Sequence, residues 1–123
     1  MSIPDVVRDA YEHARATVEA AGLTMHGVCL EASVLMYDEL RRHGRAKLVR
    51  RESDTIGGHW TVEFDGVEYD PTIEFWDDGP GGLHVVGTTS PHHDWWRDPK
   101  VEVKLAREVT REQLGLPVKG RRR

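Results

Sequence analysis

Three side chains in this sequence could together carry nucleophilic acyl chemistry: Cys29, His59 and Asp70. A cysteine turns nucleophilic where its surroundings favour the thiolate, and a neighbouring imidazole both favours it and can protonate a leaving group. A carboxylate on the far side of that imidazole fixes its tautomer and orientation. Each residue alone has a plain structural reading, Cys29 as a small packed hydrophobe and Asp70-Pro71-Thr72 as a turn. Their joint order and spacing are what point to chemistry.

The elements around them give that spacing meaning. Residues 59–64 and 67–70 alternate apolar and polar around Asp65-Gly66, the strongest short-range signal for a two-residue hairpin turn. Such a turn pairs Phe64 with Val67 and Thr61 with Asp70. Trp60, Val62, Phe64, Val67, Tyr69 and Pro71 then share an apolar face. His59, Thr61, Glu63, Glu68, Asp70 and Thr72 share the other. His59 and Asp70 become same-face diagonal neighbours, roughly 7–8 Å apart at the backbone and within side-chain reach. Cys29 opens a segment whose first half is nearly all apolar (Leu30, Ala32, Val34, Leu35, Met36) and whose second half is polar (Asp38, Glu39, Arg41, Arg42, His43). That pattern predicts a helix from Cys29 to about His43, stopped by Gly44, with its start buried. A thiol in the first turn meets unpaired backbone N–H groups and the positive end of the helix dipole. Both favour a thiolate and could hold an oxyanion.

Further out, Ile3, Val7, Ala10, Ala14, Val18 and Ala21 recur at helical steps and predict an amphipathic N-terminal helix, capped by Ser2, with Pro4 in its first turn and Gly22 at its end. Residues 46–51 read as a strand, residues 83–87 as another, residues 101–105 as a strand or linker, and residues 110–114 as a short helix. The whole predicts an α+β domain over residues 1–118 followed by a basic tail, Lys119-Gly120-Arg121-Arg122-Arg123.

The 123 residues suit one domain, with 38% hydrophobic and 31% charged residues. A formal net charge of −4 argues against nucleic acid as the main partner. The one cysteine excludes an intramolecular disulfide framework, and no apolar run approaches membrane-spanning length. A cytoplasmic, membrane-free protein is the expectation, with its oligomeric state left open.

Gly27-Val28-Cys29-Leu30-Glu31-Ala32, Leu40-Arg41-Arg42-His43-Gly44, His59-Trp60-Thr61-Val62, Asp65-Gly66 and Tyr69-Asp70-Pro71-Thr72 together resemble the transglutaminase-like, papain-like superfamily of cysteine enzymes. The resemblance spans residues 27–72. It implies helices packed on a short, mostly antiparallel sheet, and a thiol that attacks an amide or ester carbonyl. Cys29 would be the nucleophile, His59 the general base and acid, and Asp70 the orienting carboxylate. It also implies a peptidase, deamidase or transglutaminase-type activity on a peptide or protein substrate, with no cofactor or metal. His26 reads as an incidental loop histidine, with an oxyanion donor as the sharper alternative.

Trp60, Trp95 and Trp96 are the candidate substrate-contacting side chains, and Trp76 with Gly79 to Gly82 a candidate flap. His92-His93 lacks a zinc-ligand spacing such as His-Glu-x-x-His and reads as part of a surface loop. Two other functions stay open. One is a metal-dependent hydrolase with Cys29, His59 and Asp70 as ligands, and the other is an inactive binding module on the same fold.

Overall fold

The computed structural model describes residues 3–25, 27–54, 57–72, 82–88, 90 and 92–117. Among them the chain forms α1 (Asp5–Ala20), α2 (Cys29–Leu40), β1 (Ala46–Ser53), β2 (Gly57–Phe64), β3 (Val67–Asp70), β4 (His84–Val85), β5 (Trp96–Arg97) and α3 (Val103–Gln113). The architecture is α+β, a five-stranded sheet in the order β4-β3-β2-β1-β5 with every neighbouring pair antiparallel. Ser2, the expected helix cap, and the tail from residue 119 lie outside the described residues. None of the described helices is long and apolar enough to cross a membrane.

The first helix forms on the predicted stripe. Val7, Ala10, Ala14 and Val18 are buried, and Tyr11 joins them. Ala21 lies just past the helix and is exposed. The carbonyl of Pro4 accepts from the N–H groups of Val7 and Arg8, which starts the first turn without a side-chain cap. α2 ends at Leu40, three residues short of the predicted His43; Arg41, Arg42 and His43 are exposed turn residues.

These two helices and the apolar face of the β2–β3 hairpin enclose the main core. Val7, Val18, Met36, Leu40 and Val62 are fully buried there beside Phe64 and Tyr69. Each such side chain contributes roughly 1.5–3 kcal/mol relative to exposure. A second cluster joins Val34, Leu48 and Ala106, with Trp60, Val101 and Val103 packed against it.

The hairpin has the register its sequence predicts. Phe64 pairs with Val67, Glu63 with Glu68 and Val62 with Tyr69. Asp65 (φ 48°) and Gly66 (φ 86°) both take positive φ, the conformation of a type I′ turn. Asp65 is held there twice: its N–H donates to the Arg45 carbonyl, and its carboxylate accepts from the Arg45 N–H.

The C-terminal third corrects the sequence reading. Residues 103–105 are not a strand but the start of α3, which runs through the predicted short helix. Val101, Val103 and Leu105 alternate like a strand, yet Leu105 is exposed and the buried positions are Ala106 and Thr110, followed by Leu114. Four-residue spacing against α2 decides the element. Residues 83–87 contain only a two-residue strand, His84–Val85, and the aromatic run supplies the edge strand β5.

Candidate active site

The site sits where the start of α2 meets the ends of β2 and β3. His59 is 4% exposed and Asp70 is fully buried. The His59 Nε2–H donates to Asp70 Oδ2 at 2.7 Å, a charge-assisted hydrogen-bond distance. The other carboxylate oxygen, Oδ1, accepts from the Thr72 N–H at 2.9 Å and faces Thr72 Oγ1 at 3.4 Å. Asp70 is therefore fixed within its own Asp-Pro-Thr turn and aims Oδ2 at the imidazole.

Cys29, half-buried, is the first residue of α2. Its side chain hydrogen-bonds the same imidazole. The first-turn amides of a helix have no intrahelical acceptor, and Val28 at the cap position supplies no side-chain cap. Burial would lower the basicity of His59, but the hydrogen bond to Asp70, then the one with Cys29, and the charges of both outweigh it and raise its pKa to about 9. Burial also pushes the Glu31 carboxyl upward, against the hydrogen bond to its own backbone.

The polar face of the hairpin is not open to water. Arg51 on β1 places Nε and one terminal nitrogen on the two oxygens of Glu68 at 2.9 and 2.7 Å, and Thr61 donates to Glu68 at 2.7 Å. The other terminal nitrogen of Arg51 donates to the backbone carbonyls of His93 (2.8 Å) and Trp95 (3.1 Å). This buried guanidinium ties the turn at residues 92–95 down over the sheet. Burial alone would raise Glu68, but Arg51 and Thr61 hold it below the usual carboxylate range.

That turn carries the residue the sequence hid. His92 is fully buried rather than part of a surface loop, its Nε2 lies 3.4 Å from Asp70 Oδ2, and its ring centroid is 4.7 Å from that of His59. Its only sequence signal was the doublet His92-His93, which no ligand spacing supported. Trp95 meets the His92 ring edge-on at 6.2 Å between centroids, and Trp96 is 58% exposed on the outer strand. Trp60, half-buried, packs in the second core cluster with the Arg50 guanidinium 5.8 Å from its ring centroid. His26 and most of the expected flap, residues 73–81, lie outside the described residues. A cleft of about 500 Å³ lined by Tyr37, Leu48, Arg97, Pro99 and Val101 lies elsewhere, beside β1, and contains none of the three candidate catalytic residues.

Among the described residues, His59, Asp70 and His92 offer nitrogen and oxygen atoms within 4.8 Å of one another, a donor set that zinc accepts. The set includes His92 where the sequence suggested Cys29. Donors around a zinc ion at about 2.0–2.2 Å stand roughly 3.3–3.5 Å apart. The 2.7 Å separation of His59 and Asp70 is instead that of a hydrogen bond. The His92 and Asp70 atoms, 3.4 Å apart, fall within the zinc-donor range.

Comparison with protein-family models, with curated proteins and with solved structures found no match to this chain.

Proposed function

We propose that the protein is a cysteine-nucleophile acyl-transfer enzyme in which Cys29, His59 and Asp70 act as a triad on an amide bond of a peptide or protein, with hydrolysis of a peptide bond as the first choice. The observation that carries the reading is one imidazole held between the Cys29 side chain and, at 2.7 Å, Asp70 Oδ2. With Nε2 committed to Asp70, Nδ1 is the nitrogen left for the sulfur. The resemblance of residues 27–72 to transglutaminase-like enzymes supports the same assignment.

In this mechanism His59 takes the thiol proton, and the Cys29 sulfur attacks the carbonyl carbon. The amides at the start of α2 stabilise the oxyanion. Collapse of the tetrahedral adduct breaks the C–N bond as His59 returns its proton to the departing amine. The acyl-enzyme then passes its acyl group to water, activated by His59, or to a second amine. Cys29 is regenerated in either case. Asp70 keeps the imidazole in the productive orientation throughout. Trp95, edge-on to His92, would wall the acyl chain.

The test needs no known substrate. Iodoacetamide labelling from pH 5 to 9, read by mass spectrometry of the adduct, should show fast modification of Cys29 near pH 6 and marked slowing in His59→Ala. A thiol that reacts like free cysteine in both proteins would remove the triad reading and leave the binding module.

A further inference from the structure

We propose that His92 is a positioning residue of this triad, holding Asp70 Oδ2 on the line to His59 and closing their hydrogen bond off from water. The proposal rests on the thiol-enzyme reading above and adds to it a fourth residue from a segment that carries none of the other three.

Three residues converge on the Asp70 carboxylate. Asp70 Oδ2 faces His59 Nε2 at 2.7 Å and His92 Nε2 at 3.4 Å, while Oδ1 is held by Thr72. Both histidine side chains and the carboxylate are buried, so the hydrogen bond sits in a medium of low dielectric, where its orientation matters most. The His92 ring lies 4.7 Å from the His59 ring at a 45° tilt, so both imidazoles crowd the same buried carboxylate. Contacts of this kind are often long before substrate binds and tighten afterwards.

The two imidazoles are also driven apart in protonation. Around them stand Asp70 and Glu68 on β3, Arg51 on β1 and Cys29 on α2. Burial lowers His92, the positive His59 and Arg51 add to that, and Asp70 and Glu68 oppose it. His59 is raised. A neutral His92 can donate one N–H to a carboxylate without bringing a second positive charge to it. Environments that split two neighbouring titratable groups mark distinct roles in a site.

The supporting scaffold is specific to the backbone of this turn. Arg51 grips the carbonyls on either side of Asp94, at His93 and Trp95. Lysine at position 51 could pair with Glu68 but lacks the planar fork that reaches Glu68 and both carbonyls together. Through these carbonyls Arg51 holds the turn that carries His92.

The experiment compares His92→Gln, His92→Phe and His92→Asn with the wild-type chain, measuring Cys29 alkylation from pH 5 to 9 beside thermal melting. Glutamine can carry a donor N–H to Asp70, phenylalanine fills the space without a donor, and asparagine is too short. The His92→Gln protein should alkylate within about threefold of wild type at pH 6, while His92→Phe and His92→Asn fall by about tenfold, the scale of one hydrogen bond. Should His92→Phe fail to fold, the contrast between Gln and Asn decides alone. Equal rates in Gln and Asn, or a uniform loss that follows melting temperature, overturn the positioning role while the triad stands. A wild-type thiol no more reactive than free cysteine overturns both.

Discussion

A buried imidazole raised from 6.5 to about 9 links folding to pH, and the partner that shares its proton decides the form of that link. A group whose pKa is higher in the folded chain contributes stability that is fully present below its unfolded value and lost as the pH climbs through its folded value. For His59 the window runs from pH 6.5 to about 9, and the full shift corresponds to about 3 kcal/mol. In a Cys29→Ala protein only Asp70 holds the imidazolium, because the thiol's hydrogen bond and charge are gone. Stability should then fall by about 1–3 kcal/mol between pH 6.5 and 9. The wild-type chain should behave differently. If folded Cys29 and His59 form a thiolate–imidazolium pair, they hold one proton between them. The unfolded chain also holds one between about pH 6.5 and 8.5, on the thiol. Equal proton counts give a flat profile. Urea titrations followed by the fluorescence of the four tryptophans, at half-unit steps of pH, measure both curves. Parallel curves would show that His59 does not exchange its proton with Cys29 and would refute the ion-pair reasoning.

Three other outcomes are expected. Asp70→Asn should keep a measurable fraction of Cys29 reactivity and Asp70→Ala less, since an amide can still orient an imidazole; loss of the fold in Asp70→Ala, with full reactivity in whatever remains folded, would make Asp70 a turn residue only. Purified protein should carry no stoichiometric zinc by elemental analysis, and a chelator should leave both melting temperature and alkylation rate unchanged; one zinc per chain, lost together with activity, would favour the metal-dependent alternative. Arg51→Leu should destabilise by about 3–5 kcal/mol in urea unfolding because Glu68 is left as an uncompensated buried charge, whereas Arg51→Leu combined with Glu68→Leu should recover much of that stability yet stay slow in alkylation, because the turn at residues 92–95 is no longer held.

The parts of this molecule legible in sequence are those fixed by local rules. Asp65-Gly66 sets a two-residue turn, period-two alternation sets the faces, and together they place His59 and Asp70 side by side before any tertiary contact is considered. Cys29 at the head of α2 follows from an apolar run that turns polar. The rest depends on contacts with no local pattern. Val101, Val103 and Leu105 alternate like a strand, and only burial against α2 favours the helical spacing of Ala106 and Thr110. His92 meets Asp70 across 22 positions of chain, with no repeat or motif to announce it. Arg51 reads as a polar position on a strand, and its burial follows from Glu68, Thr61 and two carbonyls of a distant turn.

The polar face of the hairpin bears on what the chain was selected for. A small domain has little interior to spare, and a buried Arg–Glu pair is often no more stabilising than apolar residues of the same volume. This chain nevertheless buries Arg51, Glu68, Thr61, His59, Asp70 and His92 together. Apolar residues could have closed that face over the sheet as they close the other, around Val62 and Tyr69. What they could not do is grip two backbone carbonyls and set a histidine against Asp70. On the proposed mechanism the arrangement serves one fixed orientation of His59, which a proton-shuttling residue needs. The inactive-module alternative predicts a different result: Arg51→Leu with Glu68→Leu would change stability and leave Cys29 alkylation at the wild-type rate.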